Sequence, residues 1–426
     1  MALLKTFSAV AAIGMVAWLV LKRRRALRPS SSYLRKAAGD PTLVADRRRM
    51  IELFLQDVTR HPLSPPPPAP KRSVRLVSWN LNILCGPDWH TNVSAAAVFA
   101  VLQTLNADVL ALQEMPCEAL DTLWDAQLAA PMARVRELDN LLASAGYAVM
   151  RSPAENATVL ATRLSVLETD GFLLDEAPTA TLNGAEVWAE SRGAMYATLS
   201  TERGERLGIY ATHLSHKDAT LVHPNRSSAD PRSAPAADGR GAAAPSPMRQ
   251  RSVDWTSATS MSGVRRRQAE ALVRHWESRA AKGPVADSAS RGAADGGLLA
   301  SDAVVLADFN QPLSSHYDAD EWRVVAAGLS SSGVAQPLDD GVAAFLAQRG
   351  WRCAYASCER SNFGGRRAPP MTHWTGTTVD FGYLHGEGWH VHGAYVEYSP
   401  LSDHLPVVVD LVPRPAIPWH GRWLSP

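Results

Sequence analysis

Cysteine is scarce in this sequence, which has four cysteines in 426 residues: Cys85, Cys117, Cys353 and Cys358. So few cysteines in a chain of this length do not make a disulfide framework. Cys353 and Cys358 are close enough in sequence to pair, but no spacing between cysteines is typical of a zinc site. The chain is therefore not a small disulfide-stabilised scaffold, and its cysteine content is compatible with a reducing compartment.

Net charge is also nearly absent, at +1, but it is distributed unevenly along the chain. Residues 1–75 contain 15 Lys or Arg against 4 Asp or Glu, a surplus of +11, so the remaining residues carry −10. The later part of the chain is mildly acidic, which argues against a broad nucleic-acid-binding face but does not exclude a local basic groove. The length allows one large domain, or two smaller ones, plus tails.

One uncharged, mostly apolar run stands at the N-terminus, from Phe7 to Leu21, and four basic residues at 22–25 follow it directly. Extended from Ala2, a helix of about 20 residues is about 30 Å long, enough to cross a bilayer. We predict a single-pass membrane anchor in residues 1–25, with a cleaved targeting peptide as the alternative. Because basic residues prefer the cytosolic side, the rest of the chain is expected in the cytosol, on an endomembrane or the mitochondrial outer membrane.

Composition divides the remainder of the chain, in which no internal repeat is found. Residues 26–72 are predicted to form a spacer, with an amphipathic helix over 42–60 and a stiff segment at 61–70 that holds six prolines. Residues 73–413 are predicted to form one folded domain, and residues 414–426 a tail. Within the domain, residues 218–262 lack periodic apolar residues and are predicted to be a disordered insertion.

Polar residues repeatedly follow short apolar runs in the folded domain, where strands alternate with helices. A layered sheet brings such strand ends together through its loops. Carboxylate and amide oxygens suit Mg²⁺ or Mn²⁺ and suit zinc poorly. Asp380 is predicted inside an apolar strand, where a carboxylate requires a partner such as His404. The candidate set is Asn80, Asn82, Glu114, His213, Asp308, Asn310, Asp380, Asp403 and His404.

Six short motifs in a fixed order carry a family resemblance. They are Ser78-Trp79-Asn80-Leu81-Asn82, Leu112-Gln113-Glu114, Thr212-His213-Leu214, Ala307-Asp308-Phe309-Asn310, Val379-Asp380-Phe381 and Ser402-Asp403-His404. This series resembles the endonuclease/exonuclease/phosphatase superfamily, the deoxyribonuclease I-like group, over residues 73–413 apart from the insertions. The resemblance implies a catalytic domain with a four-layered α/β sandwich, in which helices flank two packed sheets.

The resemblance also implies a role for each matching residue. Mg²⁺, with Mn²⁺ as the alternative, is expected at Glu114 with support from Asn80 and Asp403. The catalytic residues are expected to be His213, Asp308, Asn310, Asp380 and His404. Asn82 and Asn156 are expected to contact substrate; Asn82 stands where some relatives have Asp, and Ala307 where Gly is usual. In addition, one arginine of residues 265–267 and the pair His373–Trp374 are candidates to approach the site.

Together these features predict a membrane-tethered, Mg²⁺-dependent phosphoesterase that hydrolyses phosphodiester or phosphomonoester bonds. The N-terminal anchor and the acidic domain favour a phospholipid headgroup as substrate. A nuclease or a tyrosyl-DNA-type phosphodiesterase is the main alternative, and a catalytically inactive membrane scaffold or binding module is another. Either Asp308 or the pair His404–Asp380 is expected to accept the proton of the attacking water.

Overall fold

Buried apolar runs form the central strands of two β-sheets in the computed structural model of the protein. Every residue of Val74–Asn80 and of Ala303–Asp308 is buried. The structure describes residues 51–52, 54–56, 64–87, 91–115, 129–154, 157–174, 180–182, 185–187, 192–215, 263–281, 302–323, 325, 341–364, 366, 368–369 and 371–415.

The strands and helices of these residues alternate in the first part of the chain. The strands are β1 (Val74–Asn80), β2 (Val109–Gln113), β3 (Ala148–Arg151), β4 (Val159–Thr162), β5 (Ser165–Leu173), β6 (Ala180–Leu182), β7 (Ala185–Val187), β8 (Gly193–Ser200), β9 (Arg206–His213), β10 (Ala303–Asp308), β11 (Arg352–Cys353), β12 (Arg360–Ser361), β13 (Asp380–His385), β14 (Trp389–Val396) and β15 (Val407–Pro413). The helices are α1 (Ala95–Leu105), α2 (Ala129–Ser144), α3 (Val264–Ala281), α4 (Val342–Gln348) and α5 (Ala354–Ser357).

The two mixed sheets have the same arrangement of strands at their centres. Sheet I has the strand order β12-β14-β15-β1-β2-β4-β3, and sheet II has the order β11-β13-β10-β9-β8-β5. In sheet I, β1 is parallel to β2 and antiparallel to β15. In sheet II, β10 is parallel to β9 and antiparallel to β13. The last residues of β1 and β10 are Asn80 and Asp308, so both central strands end in a candidate site residue.

Alternation of side chains along β1 separates two parts of the core. Leu76 joins the larger apolar cluster, which contains residues of both sheets, whereas Val77 and Trp79 pack with α1 and α2. On the other sheet, α3 contacts β9 through a hydrogen bond of 2.9 Å between Tyr210 Oη and His275 Nδ1. The result is the α/β sandwich of two packed sheets with helices that the sequence predicts.

Buried apolar runs mark most of the central strands. Strand β9 is an example, because seven of its eight residues are buried. Strand β14 was not predicted, although His390 and His392 alternate with its apolar residues in the pattern of a half-buried strand. Strand β5 was not predicted either, because its pattern is mostly exposed. Cys353 and Cys358, considered as a pair above, are free thiols.

Residues ahead of β1 pack on the sandwich. Phe54 is fully buried in the larger apolar cluster. The carbonyl oxygen of Ser64 accepts a hydrogen bond from Asn362 Nδ2 at 2.8 Å, and that of Pro67 accepts one from Arg75 Nη2 at 2.6 Å. The described part of the predicted spacer is therefore attached to the domain.

Several predictions concern residues outside those that the structure describes. These are the anchor at 1–25, most of the spacer, the insertion at 218–262, Asn156, and the tail from residue 416 onward. No helix of the described residues combines the length and the apolar character that crossing a membrane requires.

Candidate active site

The candidate residues stand at neighbouring strand ends. Because β1 and β2 are parallel and in register at their carboxyl ends, Asn80 lies beside Glu114, which follows β2 directly. In sheet II, Asp308 is the register partner of both His213 on β9 and Asp380 on β13. Strand register thus assembles one polar cluster from the ends of five strands in two sheets.

Backbone strain is concentrated at this edge. Among the described residues, seven non-glycine residues have positive φ, and five of them adjoin the site: Asn82, Ile83, Leu84, Glu114 and Asn310. Glu114 (φ 54°) and Asn310 (φ 50°) come directly or almost directly after a strand. A side chain in the left-handed region costs on the order of 1–3 kcal/mol, and such residues concentrate at functional sites.

Asp308 lies at the centre of the cluster and is fully buried. Its Oδ2 accepts a hydrogen bond from Asn80 Nδ2 at 3.1 Å, and its Oδ1 accepts one from the backbone N–H of Asn310 at 2.8 Å. Two imidazoles approach Oδ2: His213 Nε2 lies 3.4 Å away and His404 Nε2 3.6 Å away. Asp308 therefore joins Asn80, Asn310 and both imidazoles.

His404 has a carboxylate at each ring nitrogen. Its Nδ1 lies 3.0 Å from Asp380 Oδ2, and its Nε2 faces Asp308. Burial lowers the pKa of His404, but the charges of Asp380 and Asp308 outweigh it and raise the pKa well above the usual value. Burial and the charge of Asp380 raise the pKa of Asp308 to about 6, against the opposing effect of His404. The imidazolium is thus the favoured form of His404 in this arrangement.

Asp403 and His373 form a neighbouring pair. Their Oδ2 and Nε2 atoms lie 3.8 Å apart, and the rings of His373 and His404 are 4.4 Å apart. Burial and the charge of His404 lower the pKa of His373. Although burial raises the pKa of Asp403, its contacts with His373 and His404 lower it below the ordinary value, so Asp403 is held ionised.

Glu114 is the carboxylate whose charge this arrangement disfavours. Its Oε1 accepts a hydrogen bond from Asn80 Nδ2 at 3.1 Å, and its side chain is 16% exposed. Burial and the negative charge of Asp403 raise the pKa of Glu114 to about 7. A divalent cation bound by the two carboxylates would reverse that shift, because it favours the charged form of both. Carboxylate oxygens, such as those of Glu114 and Asp403, are the ligands that a hard cation such as Mg²⁺ or Mn²⁺ prefers.

Donors surround His213. Arg192 Nη1 lies 2.8 Å from its Nδ1, and Asn310 Nδ2 lies 2.8 Å from its Nε2. A guanidinium and an amide NH₂ only donate, whereas a neutral imidazole has one lone pair and one N–H. The ring can accept from one of the two, so N–H donors predominate here. Because its guanidinium lies at Nδ1, Arg192 supplies a positive charge directly beside His213.

Arg192 was missed by sequence reasoning. It lies just before β8, away from all six motifs, and it is 1% exposed. A buried arginine is rare unless it is paired, but burial is not visible in the sequence. By contrast, the expected approach of one arginine of residues 265–267 agrees with the structure, because Arg265 Nη1 donates to the carbonyl oxygen of Asn310 at 2.7 Å. His373 likewise lies against Asp403 and His404.

Two asparagines of the candidate set are connected by a hydrogen bond at the turn that follows β1. The side chain of Asn82 donates to the carbonyl oxygen of Gly86 at 2.7 Å, inside the left-handed turn, and so does not join the cluster. Its backbone N–H instead donates to Asn80 Oδ1 at 2.9 Å. The amide oxygen of Asn80, the expected metal ligand, therefore accepts one hydrogen bond and keeps a second lone pair, while its N–H groups bridge Glu114 and Asp308. Asn156, the other expected substrate contact, lies outside the described residues.

No protein-family model matches the chain, and no curated protein sequence matches it. Solved structures do match. An endonuclease/exonuclease/phosphatase from Bacteroides vulgatus is 14% identical (TM-score 0.44) over 80% of this chain and 99% of its own. The human Nocturnin catalytic domain with bound sulfate is 15% identical (TM-score 0.40) over 82% and 100%. D. rerio TDP2 complexed with single strand DNA product is 12% identical (TM-score 0.38) over 80% and 98%. The first carries the name of the family that the six motifs resemble.

Proposed function

We propose that the protein is a divalent-metal-dependent phosphoesterase, with Mg²⁺ or Mn²⁺ held by Glu114 and Asp403. The observation that carries the proposal is that carboxylates and hydrogen-bond donors meet at Asp308. Asn80 Nδ2 donates to both Asp308 and Glu114, and the backbone N–H of Asn310 donates to Asp308. Hydrolysis of a phosphoester requires both kinds of group: carboxylates to hold a cation, and N–H donors to bind the anionic oxygens. When bound, the metal would stabilise negative charge on the phosphoryl and leaving oxygens.

We assign the binding of the phosphate to N–H groups of three residues. Arg192 contributes a fixed positive charge, and the ring of His213 lies between it and Asn310. The amide N–H groups of Asn310 face His213 Nε2 and the carbonyl oxygen of Leu214, so a bound phosphate would replace one of these contacts. Hydrogen bonds from these groups strengthen as charge develops on the non-bridging oxygens, which stabilises the transition state relative to the bound substrate. Arg265 supports this set, because its contact with the Asn310 carbonyl fixes the loop.

Asp308 is the better candidate for the proton acceptor. His404 has carboxylates at both nitrogens, an arrangement suited to donating from each and not to accepting. In the proposed step, a water oxygen bonds to phosphorus as its proton passes to Asp308 Oδ2. The bond from phosphorus to the ester oxygen breaks, and that oxygen leaves with the electron pair and takes a proton from solvent. His404 Nε2–H then faces the phosphoryl group as a charged donor.

For the substrate, we favour a phospholipid headgroup over nucleic acid. The support is compositional: a predicted anchor at residues 1–25 and a surplus of acidic residues beyond residue 75. An anchor would hold the site near a membrane surface, and an acidic domain gains little from the phosphate backbone of a long nucleic acid.

The test is hydrolysis by the full-length protein with Mg²⁺ or Mn²⁺, compared with EDTA. The panel contains sphingomyelin, phosphoinositides, single- and double-stranded DNA, RNA and 5′-phosphotyrosyl DNA. We expect metal-dependent release of a phosphorylated product from a lipid, and its loss in His404→Gln. Glu387→Gln, a change at an exposed acid paired with arginines, is the control. Cleavage of the nucleic acids alone would favour a nuclease, and no hydrolysis of any member would favour the scaffold.

A further inference from the structure

A second cluster of ligating side chains lies on sheet I, away from the candidate active site. It consists of Glu359, His390 and His392, whose ligand atoms all lie within 4.8 Å of one another. Strand register places it at the opposite end of the sheet from His404. His390 is opposite Val412 near the end of β15, whereas His404 precedes the start of that strand.

Strand geometry puts both histidines on one face. His390 and His392 are two residues apart on β14. Trp389, which precedes them, and Val391, which lies between them, belong to the apolar core on the other face. The pairing of β14 with β15 shifts register between Val391 and Gly393, so His392 is the extra residue of a bulge. Bulges re-aim side chains and are typical of functional positions.

The third group is held to the same strand by backbone hydrogen bonding. The N–H of Glu359 donates to the carbonyl oxygen of Val391 at 3.3 Å, just ahead of β12, which pairs with β14. The two backbone segments that carry the three side chains are therefore fixed relative to each other. Such rigid support is what a preorganised metal site needs.

The three ligating groups lie close enough together to share one ion. Glu359 Oε1 lies 3.5 Å from His390 Nε2, and Glu359 Oε2 lies 3.0 Å from His392 Nδ1. Bonds of about 2.1 Å to a tetrahedral ion separate neighbouring ligand atoms by roughly 3.4 Å, and one ligand atom from each of the three residues lies within 4.8 Å of the other two. The side chains are 57%, 27% and 18% exposed for Glu359, His390 and His392, so a fourth ligand has access from solvent.

We propose that Glu359, His390 and His392 bind a transition-metal ion, Zn²⁺ foremost, at a site separate from the proposed phosphoesterase centre. Two imidazoles and one carboxylate with an open position are the donor set of known zinc centres, and imidazole disfavours Mg²⁺. The ion joins the edge segment before β12 to β14, so it stabilises this end of sheet I through ligand binding to the folded state.

The test is a calorimetric titration of the full-length protein with Zn²⁺ in excess Mg²⁺, which occupies the hard-oxygen site. We expect one Zn²⁺ per chain, and at least a tenfold loss of its affinity in His390→Gln and in His392→Gln. Glu387→Gln, at a nearby exposed acid that pairs with arginines, serves as the matched control and keeps the wild-type affinity. Co²⁺ in place of Zn²⁺ reports the tetrahedral geometry by its visible spectrum.

Unchanged Zn²⁺ affinity in both histidine variants, or no uptake by the wild type, overturns the proposal and leaves simple ion pairs. Loss of all Zn²⁺ binding in Glu114→Gln, with full binding in His390→Gln, overturns it as well, because the ion would then belong to the other site. Mg²⁺-dependent hydrolysis is expected to be the same in His390→Gln and the wild type, so the failure of either proposal is recognised separately.

Discussion

Two buried charged regions of this protein are built in opposite ways. At one end of β1, Arg75 and Asp410 form a two-pronged ion pair with N–O distances of 2.7 and 2.8 Å, and both are almost fully buried. At the other end, the carboxylates of Glu114, Asp308, Asp380 and Asp403 share a small space with imidazoles and Arg192. The pair is balanced within the chain, whereas the cluster has pKa shifts that a bound cation would relieve.

The difference separates charge that serves folding from charge that serves a ligand. Arg75 also donates to the carbonyl oxygens of Leu105 and Pro67, so each charge of the pair is satisfied by the fold itself. In the cluster, strained residues such as Glu114 and Asn310 are retained although they cost stability. Substitutions in the ion pair should therefore lower stability and leave activity unchanged. Substitutions in the cluster should lower activity and can raise stability.

The largest effect is expected from Asp308→Asn in the cluster. Removing the proton acceptor should lower kcat by about 10²–10⁴-fold, because general base catalysis contributes that much. The rate of metal-dependent hydrolysis of the best panel substrate measures it. Asp320→Asn is the control, since Asp320 is 80% exposed in its side chain. Equal rates for Asp308→Asn and the wild type would contradict the assignment.

The balanced pair should show the reverse behaviour. Asp410→Ala leaves Arg75 buried without its partner, and the free energy of unfolding should fall by about 3–5 kcal/mol. Urea denaturation measures this loss, while the activity per folded molecule stays at the wild-type level. The double change Arg75→Met with Asp410→Leu should recover most of the stability. A loss of activity beyond the loss of folded protein would show that this pair also serves the site.

Arg192→Lys separates charge from geometry within the cluster. Lysine keeps the positive charge but not the planar donor group that faces His213, so inhibition by inorganic phosphate should weaken by about tenfold. The metal concentration for half-maximal activity should not change, because Arg192 is not among the proposed ligands. Arg206→Lys, at the exposed start of β9, is the control. An altered metal requirement with unaltered phosphate inhibition would argue against the anion-binding role.

The smallest effect is a gain in stability. The pKa of Glu114 is raised from 4.5 to about 7, so between these pH values the folded state holds a proton that the unfolded state lacks. Stability in EDTA should therefore fall as pH rises from about 4.5 to 7. Glu114→Gln should remove this slope and raise the free energy of unfolding at pH 8 by roughly 1–3 kcal/mol.

Thermal melts of both proteins across that pH range provide the measurement. Other acids with raised pKa, such as Asp302, remain in the variant and cancel in the comparison. Excess Mg²⁺ should raise the melting temperature of the wild type alone at pH 8. If Glu114→Gln were less stable than the wild type in EDTA, the carboxylate would belong to the fold and not to a ligand.

Much of the site could be predicted because its residues end apolar strands. Glu114, Asp308 and His213 each follow or close a buried run, and parallel neighbours bring such ends together. Arg192 could not be predicted, since its role depends on burial beside a residue 21 positions away. Asn82 was assigned a substrate contact from its motif, but the left-handed turn at residues 82–84 points its amide at Gly86.

By itself, the sequence determined which residue types stand at the strand ends and that two sheets with helices would form, because hydrophobic period and strand-end position are local properties. Only the tertiary structure decided which of these side chains touch, which tautomers and charges they favour, and that His390, His392 and Glu359 meet elsewhere. The physical reason is that strand register, bulges and left-handed residues are fixed by packing between distant segments, and desolvation, which sets the charges, follows from that packing.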